Sequence, residues 1–135
     1  MAGYSGTPLA KKLGIKPGSK VFTINAPKDY RTLLAPLPDG VAIAAKPNKT
    51  GSDIVHLFVT SAAEFERDWP KARAAMTIDG ALWVSWYKKS AKITTDVTED
   101  VIRHRALKTD LVDVKVCAVS DVWSGLKLVV RKHLR

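Results

Sequence analysis

Apolar residues along the chain fall into short runs separated by polar segments, and the runs alternate between strand-like and helix-like spacing. KVFTI (20–24) is compact and rich in β-branched residues, and with Asn25-Ala26-Pro27 closing it the segment predicts a first strand. VAIAA (41–45) predicts a second strand, with a helix over 28–35 between them that must close before Pro36 and Pro38. The run from Asp53 to Val59 is almost continuously apolar, which suits a central strand covered on both faces. Next, Phe65, Trp69, Ala72 and Met76 recur at helical spacing, with Glu64, Glu66, Arg67, Asp68 and Arg73 mostly opposite. An amphipathic helix is expected there, with Pro70 as a place for a kink. Gly80 opens ALWVSWYK, another buried strand (81–86). The polar loop KKSAKITT then leads to a helix beginning near Thr95 or Asp96, where Asp96 and Glu99 have capping-box spacing. Ahead of these elements, Thr7-Pro8, LAKKL and Gly14 predict a short helix with an N-cap, a proline in its first turn and a terminating glycine.

The end of the chain sets the topology. LVDVKVCAV (111–119) and LKLVVRK (126–132) are strand-like, and only SDVWSG separates them. So short a link cannot hold a crossover helix, which makes the pair antiparallel. The full order is strand, helix, strand, strand, helix, strand, helix, hairpin. It predicts an α/β protein, a three-layer Rossmann-like sandwich whose mostly parallel sheet ends in an antiparallel hairpin. The strands at 20–24, 41–45, 53–59 and 81–86 run parallel, the strand at 126–132 runs against them, and residues 1–135 form a single domain. No internal repeat or low-complexity segment interrupts this pattern.

Composition narrows the class. A chain of 135 residues with 46% hydrophobic content can bury a core without disulfides or a structural metal. Its only cysteine, Cys117, cannot form an internal disulfide. No stretch resembles a signal-peptide core or the roughly 20 apolar residues of a membrane span, so a cytoplasmic protein without membrane association is expected. The formal net charge is +9. Lys11, Lys12, Lys16 and Lys20 bring four of these charges, and Lys127, Arg131, Lys132 and Arg135 another four, with no acid in either end segment. Charge held at the two ends reads as solvated termini rather than a recognition stripe, so nucleic-acid binding is expected to be weak and non-specific.

The layout, with its terminal hairpin, resembles that of class I S-adenosylmethionine-dependent methyltransferases. Over essentially the whole chain, YSGTPLAKKLGIK, LWVSWYKKSAKITTDVTED and VDVKVCAVSDVWSGLKLVVRK resemble a family of short bacterial proteins of unknown function. The second resemblance implies a Rossmann-like domain standing alone and carries no substrate, cofactor or reaction with it. The methyltransferase resemblance implies a glycine-rich turn after strand one and an acidic residue at the end of strand two, where the ribose hydroxyls are held. This chain departs from both: Asn25-Ala26-Pro27 follows strand one, with no glycine until Gly40, and Ala45 and Lys46 end strand two.

Other chemistry is sparse. His56, His104 and His133 lack paired ligand spacing, so no metal is expected, and His56 inside the central strand reads as a packed or hydrogen-bonded core histidine. Cys117, between Val116 and Ala118 in a strand, reads as structural. Neither GxSxG nor GxxxxGK[ST] occurs, and no catalytic residue is assigned. Trp83 and Tyr87 share one strand face and Trp86 takes the other; a base-stacking platform is possible only at the strand's end, near Trp86 and Tyr87. Trp123 falls in the SDVWSG turn, where it can pack against YSGT or edge a pocket.

One constellation stands out: Lys88, Lys89, Ser90, Lys92, Thr94, Thr95 and Asp96. This loop leaves the carboxyl end of a parallel strand, where ligands of such folds bind. It runs into a helix N-terminus, whose free amides and dipole favour anions. Asn25 and Ser61 lie on adjacent strand ends. The competing reading makes Lys88 and Lys89 solvated loop charges and Thr95 or Asp96 a plain cap. The expected function is a non-catalytic or regulatory binding module for a small anionic metabolite or nucleotide, with no cofactor named. A degenerate S-adenosylmethionine-dependent methyltransferase and a basic nucleic-acid-associated or partner-binding protein are the alternatives.

Overall fold

A computed structural model describes residues 7–135. Within these residues six strands form one sheet: β1 (Lys20–Ile24), β2 (Ala42–Ala44), β3 (Ser52–Phe58), β4 (Met76–Tyr87), β5 (Leu111–Ala118) and β6 (Trp123–Val130). Their order is β2-β1-β3-β4-β6-β5. β1 pairs in parallel with β2 and β3, and β3 with β4, whereas β6 lies between β4 and β5 and runs against both. The single reversed strand is the one the short link after residue 119 demands. Among the described residues four α-helices cover the sheet: α1 (Leu9–Lys12), α2 (Tyr30–Leu34), α3 (Ala62–Ala75) and α4 (Glu99–Leu107).

Two-residue alternation divides the sheet into two buried faces. Leu82, Val84 and Trp86 of β4 join Leu126, Leu128 and Val130 of β6 beneath Phe65 and Trp69 of α3 and Ile102 and Ala106 of α4. On the other face, Ala81 and Trp83 join Ile54 and Phe58 beneath Leu13, Tyr30 and Leu34, supplied by the short helices and their flanks. Both faces of β3 and β4 are covered, which is why their sequences read as unbroken apolar runs. The result is an α/β three-layer sandwich with a mostly parallel sheet. Among the described residues no helix is long and apolar enough to cross a membrane.

Several local expectations need correction. Met76 is not the last apolar residue of α3 but the first of β4, which begins at once and reaches well upstream of Gly80. Exposed Ile78 and Asp79 hide this part of the strand from an apolar-run reading. Gly80 sits inside the strand because a Cβ there would lie 2.8 Å from Thr77 Oγ1 and 2.9 Å from the Asp53 carbonyl oxygen, beside the irregularity at Ser52/Ile54. α3 continues through Pro70. α1 starts after Pro8, which has no side-chain group with which to cap it. Trp123 belongs to β6 rather than to a turn, and of the YSGT segment all but Thr7 lies outside the described residues. The start of α4 also shifts, with consequences for the site.

Candidate functional site

The carboxyl ends of β1, β3 and β4 lie along one edge of the sheet, and the loops leaving them are stitched together. Asn25, just after β1, takes a left-handed backbone (φ 61°), and its Nδ2 donates to the Phe58 carbonyl (3.2 Å) and to Asp68 Oδ2 (2.9 Å). Asp68 is buried on α3, and hydrogen bonds from Arg67 first and Asn25 next outweigh burial, so its carboxyl is held below the ordinary carboxylate range. Ser61 caps α3: its Oγ accepts from Glu64 N (3.1 Å), while the Glu64 carboxylate accepts from Thr60 N (3.0 Å). Thr95 Oγ1 donates to the Thr60 carbonyl (2.8 Å), and Asp96 Oδ1 accepts from Ala62 N (2.7 Å).

Asn25, Ser61 and Asp96 therefore spend their polar groups holding loops together. Ser61→Ala removes a cap and is expected to cost about 1 kcal/mol, measurable as a lowered urea midpoint with an unchanged slope.

The polar loop itself turns through a 3-10 segment, Lys89–Ala91, and then a left-handed Lys92 (φ 56°). Lys88, Lys89, Ser90, Thr94 and Thr95 border a groove of about 1050 Å³ beside the end of β4, with Trp86 at its base. Lys92, exposed, is not among its walls. The structure thus brings together five of the nine residues singled out from the sequence.

The expected anion cradle at the following helix does not form as drawn. Neither Thr95 nor Asp96 begins α4; Thr98 is its cap, with Oγ1 accepting from Val101 N at 3.3 Å. Glu99 and Asp100 fill the first turn, and both bind Arg103. Carboxylates of the chain already occupy the positive end of the helix dipole, so a bound anion is left with the lysines and hydroxyls of the groove wall rather than the helix end. Capping-box spacing at Asp96 misled because Asp96 turns away to the start of α3.

Two aromatic features lie near this edge. Tyr87 stacks on its cross-strand neighbour Trp123 (ring centres 4.5 Å apart, 25° between planes), and Trp123 meets Phe58 edge-on (5.0 Å, 86°). Trp123 is thus explained by a register that only the folded hairpin supplies. Deeper in the same face, fully buried His56 joins Tyr30 Oη to Nδ1 (2.8 Å) and Ser85 Oγ to Nε2 (2.7 Å), and its ring stacks on Phe58 at 4.2 Å. Burial pushes the Tyr30 phenol up and lowers His56 to about 3, so the imidazole is neutral, one nitrogen donating and the other accepting. Ser85 is fully buried as well, which closes this trio to any substrate. Half-buried Cys117 packs against the same cluster, and burial raises its thiol despite the opposing pull of Lys12 and Lys115.

A second hollow, about 280 Å³, lies where β1 and β2 end, bordered by Thr23, Pro27, Lys28, Arg31 and Ala45. It contains neither a carboxylate nor a glycine among its walls.

No protein-family model and no curated protein matches the chain. Among solved structures the fold is similar to that of a Sulfolobus solfataricus protein assigned as a type 11 methyltransferase. The two share 13% identity over 98% of this chain and 95% of that one, with a TM-score of 0.59. It is similar to DhpI in a complex with SAH, at 12% identity over 93% of this chain and 83% of that one, TM-score 0.57. LepI in a complex with SAM gives 12% identity and a TM-score of 0.52 over 91% of this chain, which spans only 39% of LepI. The architecture of this chain is that of the Rossmann-like methyltransferase folds.

Proposed function

We propose that this chain is a degenerate methyltransferase-type protein, one that takes S-adenosylmethionine or S-adenosylhomocysteine at the carboxyl edge of its sheet without the residues that ordinarily fix the cofactor. The observation that carries the reading is the fold as a whole, similar along 98% of this chain and 95% of that one to a protein assigned as a type 11 methyltransferase. Two of the similar structures, DhpI and LepI, hold SAH and SAM respectively.

The residues at the ends of β1 and β2 do not fit the cofactor in the usual mode. No glycine turn follows β1, Asn25 is tied to Asp68, and Ala45 stands where a carboxylate would hold the ribose. No transfer step is therefore derived. A hydrogen bond to a charged group contributes about 1.5–3 kcal/mol, so losing that carboxylate weakens binding by roughly tenfold to a hundredfold. Isothermal titration should show saturable, weak binding of both compounds, and Ala45→Asp, which restores the carboxylate at an exposed position, should tighten it by about tenfold. Absence of binding to both wild type and Ala45→Asp would sink the reading.

A second reading is favoured by the groove beside β4: a small anionic metabolite held by Lys88 and Lys89. Paired Lys88→Glu and Lys89→Glu changes should abolish thermal stabilisation by sugar phosphates or carboxylates. The cost in stability should stay at about 1 kcal/mol, since Lys89 is exposed and Lys88 only half-buried. A phosphate ligand that stabilises the double variant as well as wild type rules this groove out.

A further inference from the structure

The two basic ends of the chain, which look like separate solvated tails in the sequence, meet on one side of the sheet. Trp83, Lys127 and Lys115 are direct cross-strand neighbours on β4, β6 and β5, so all three side chains rise from the same face. Lys115 Nζ lies 5.9 Å from the centre of the Trp83 ring. From the N-terminal segment, Lys16 is close enough to act on Lys127, and Lys12 on Cys117 beside Lys115. Lys16, Lys127 and Arg135 also border a hollow of about 500 Å³ at the amino ends of the strands, together with Asp53 and Asp79. Asp53 is already engaged, accepting from Lys20 N at 2.7 Å.

This part of the face is half open. On the opposite side Leu126, Leu128 and Val130 are buried, with α4 over β5 and β6, whereas here Lys115 is exposed and Lys127, Cys117 and Val129 are only half-buried. A lysine stem can cover apolar surface while its ammonium group keeps to water, so a half-open sheet face accommodates such residues. Burial first, and then the like charges of Lys115 and Lys16, hold Lys127 below the ordinary lysine range. Ammonium groups gathered in this way are relieved by a partner that brings several negative charges in a row.

We infer that the outer face of β5 and β6 binds the phosphate backbone of nucleic acid through Lys16, Lys115 and Lys127, with Lys12 alongside. The charges spread over an open sheet surface rather than a cradle of backbone amides, which fits a line of phosphates better than a single one. Lysine acts as a point charge and reads no base edge, so binding is independent of sequence. Three to four phosphate contacts on a duplex give a salt slope of about −3, or roughly a sixtyfold loss of affinity between about 50 and about 200 mM salt.

The test is fluorescence anisotropy with short labelled duplexes of two unrelated sequences. Wild type should bind both equally at low salt with that slope. Lys16→Glu combined with Lys115→Glu, both exposed positions, should weaken binding by about tenfold or more and flatten the slope. Lys127→Gln should act in the same direction, provided circular dichroism shows it folded. Lys71→Glu with Lys108→Glu changes net charge equally at exposed positions on α3 and just after α4, and should leave affinity within about twofold. The inference is overturned if wild type does not bind at low salt, if the Lys71/Lys108 pair weakens binding as much as the Lys16/Lys115 pair, or if one duplex is strongly preferred.

Discussion

Trp83→Ala is expected to remove a large part of the stability of this chain, about 3–5 kcal/mol from the cavity and lost packing alone. Trp83 is fully buried in the middle of β4, and its Nε1 donates to the Leu13 carbonyl (3.0 Å), pinning the end of α1 to the sheet. Truncation also leaves that carbonyl without its partner, at about 1 kcal/mol or more. Set against the 5–15 kcal/mol typical of a domain, the sum approaches global unfolding at ~37 °C. Trp83→Phe keeps most of the packing but not the hydrogen bond and should cost about half as much. Urea titrations of the two variants check the order, and a loss below about 1 kcal/mol for Trp83→Ala would show that the α1 segment is not anchored through this ring.

The same residue illustrates what could be read from the sequence. β3 and β4 are legible because burial on both faces demands apolar side chains throughout, a signal that survives without knowledge of the neighbouring strands. The reversal of β6 is legible from one length: six residues between strands leave no room for a crossover. The first four residues of β4 are not legible, since Thr77, Ile78 and Asp79 lie where the strand emerges from cover and their side chains no longer report burial.

The site was less legible than the fold because its members were chosen for their chemistry, and polar residues near a sheet edge have competing uses. Lys88, Lys89, Ser90, Thr94 and Thr95 do line one groove. Asn25, Ser61 and Asp96 instead satisfy backbone amides, carbonyls and a buried carboxylate that folding leaves at the loop junctions. Nothing local distinguishes the two roles, since Asp96 with Glu99 three residues on has the spacing of a cap whether or not the helix starts there. Convergence of Lys16 with Lys127 was invisible for a different reason: it depends on which end of the sheet each terminal segment reaches.

Acidification should expose the other large effect, carried by His56. Its pKa is about 3 in the folded chain against an ordinary value of 6.5, because burial disfavours the charged ring and neither hydrogen-bond partner, Tyr30 or Ser85, is a carboxylate. Above about pH 6.5 the ring is neutral in both states and imposes no pH dependence. As pH falls below that value the unfolded chain takes up a proton that the native chain refuses, so stability is lost progressively until the folded pKa is reached. Each full unit is worth about 1.4 kcal/mol, and because the loss sets in gradually around the ordinary value it amounts to roughly 2.3 kcal/mol between about pH 6.5 and about pH 4.5. Asp68 and Asp110 have depressed values, held first by hydrogen bonds from Arg67 and Arg73, and their contribution is present above the ordinary carboxylate pKa and lost only below it. Of these three groups, the one that acts between about pH 6.5 and about pH 4.5 is therefore the buried imidazole. His56→Gln keeps donor and acceptor groups at the position but cannot titrate; it should be less stable than wild type at pH 8 through imperfect packing, yet show a much flatter loss on acidification. Urea midpoints for both proteins across that window decide the matter, and parallel profiles would mean that His56 is protonated in the native state or that the trio opens to water.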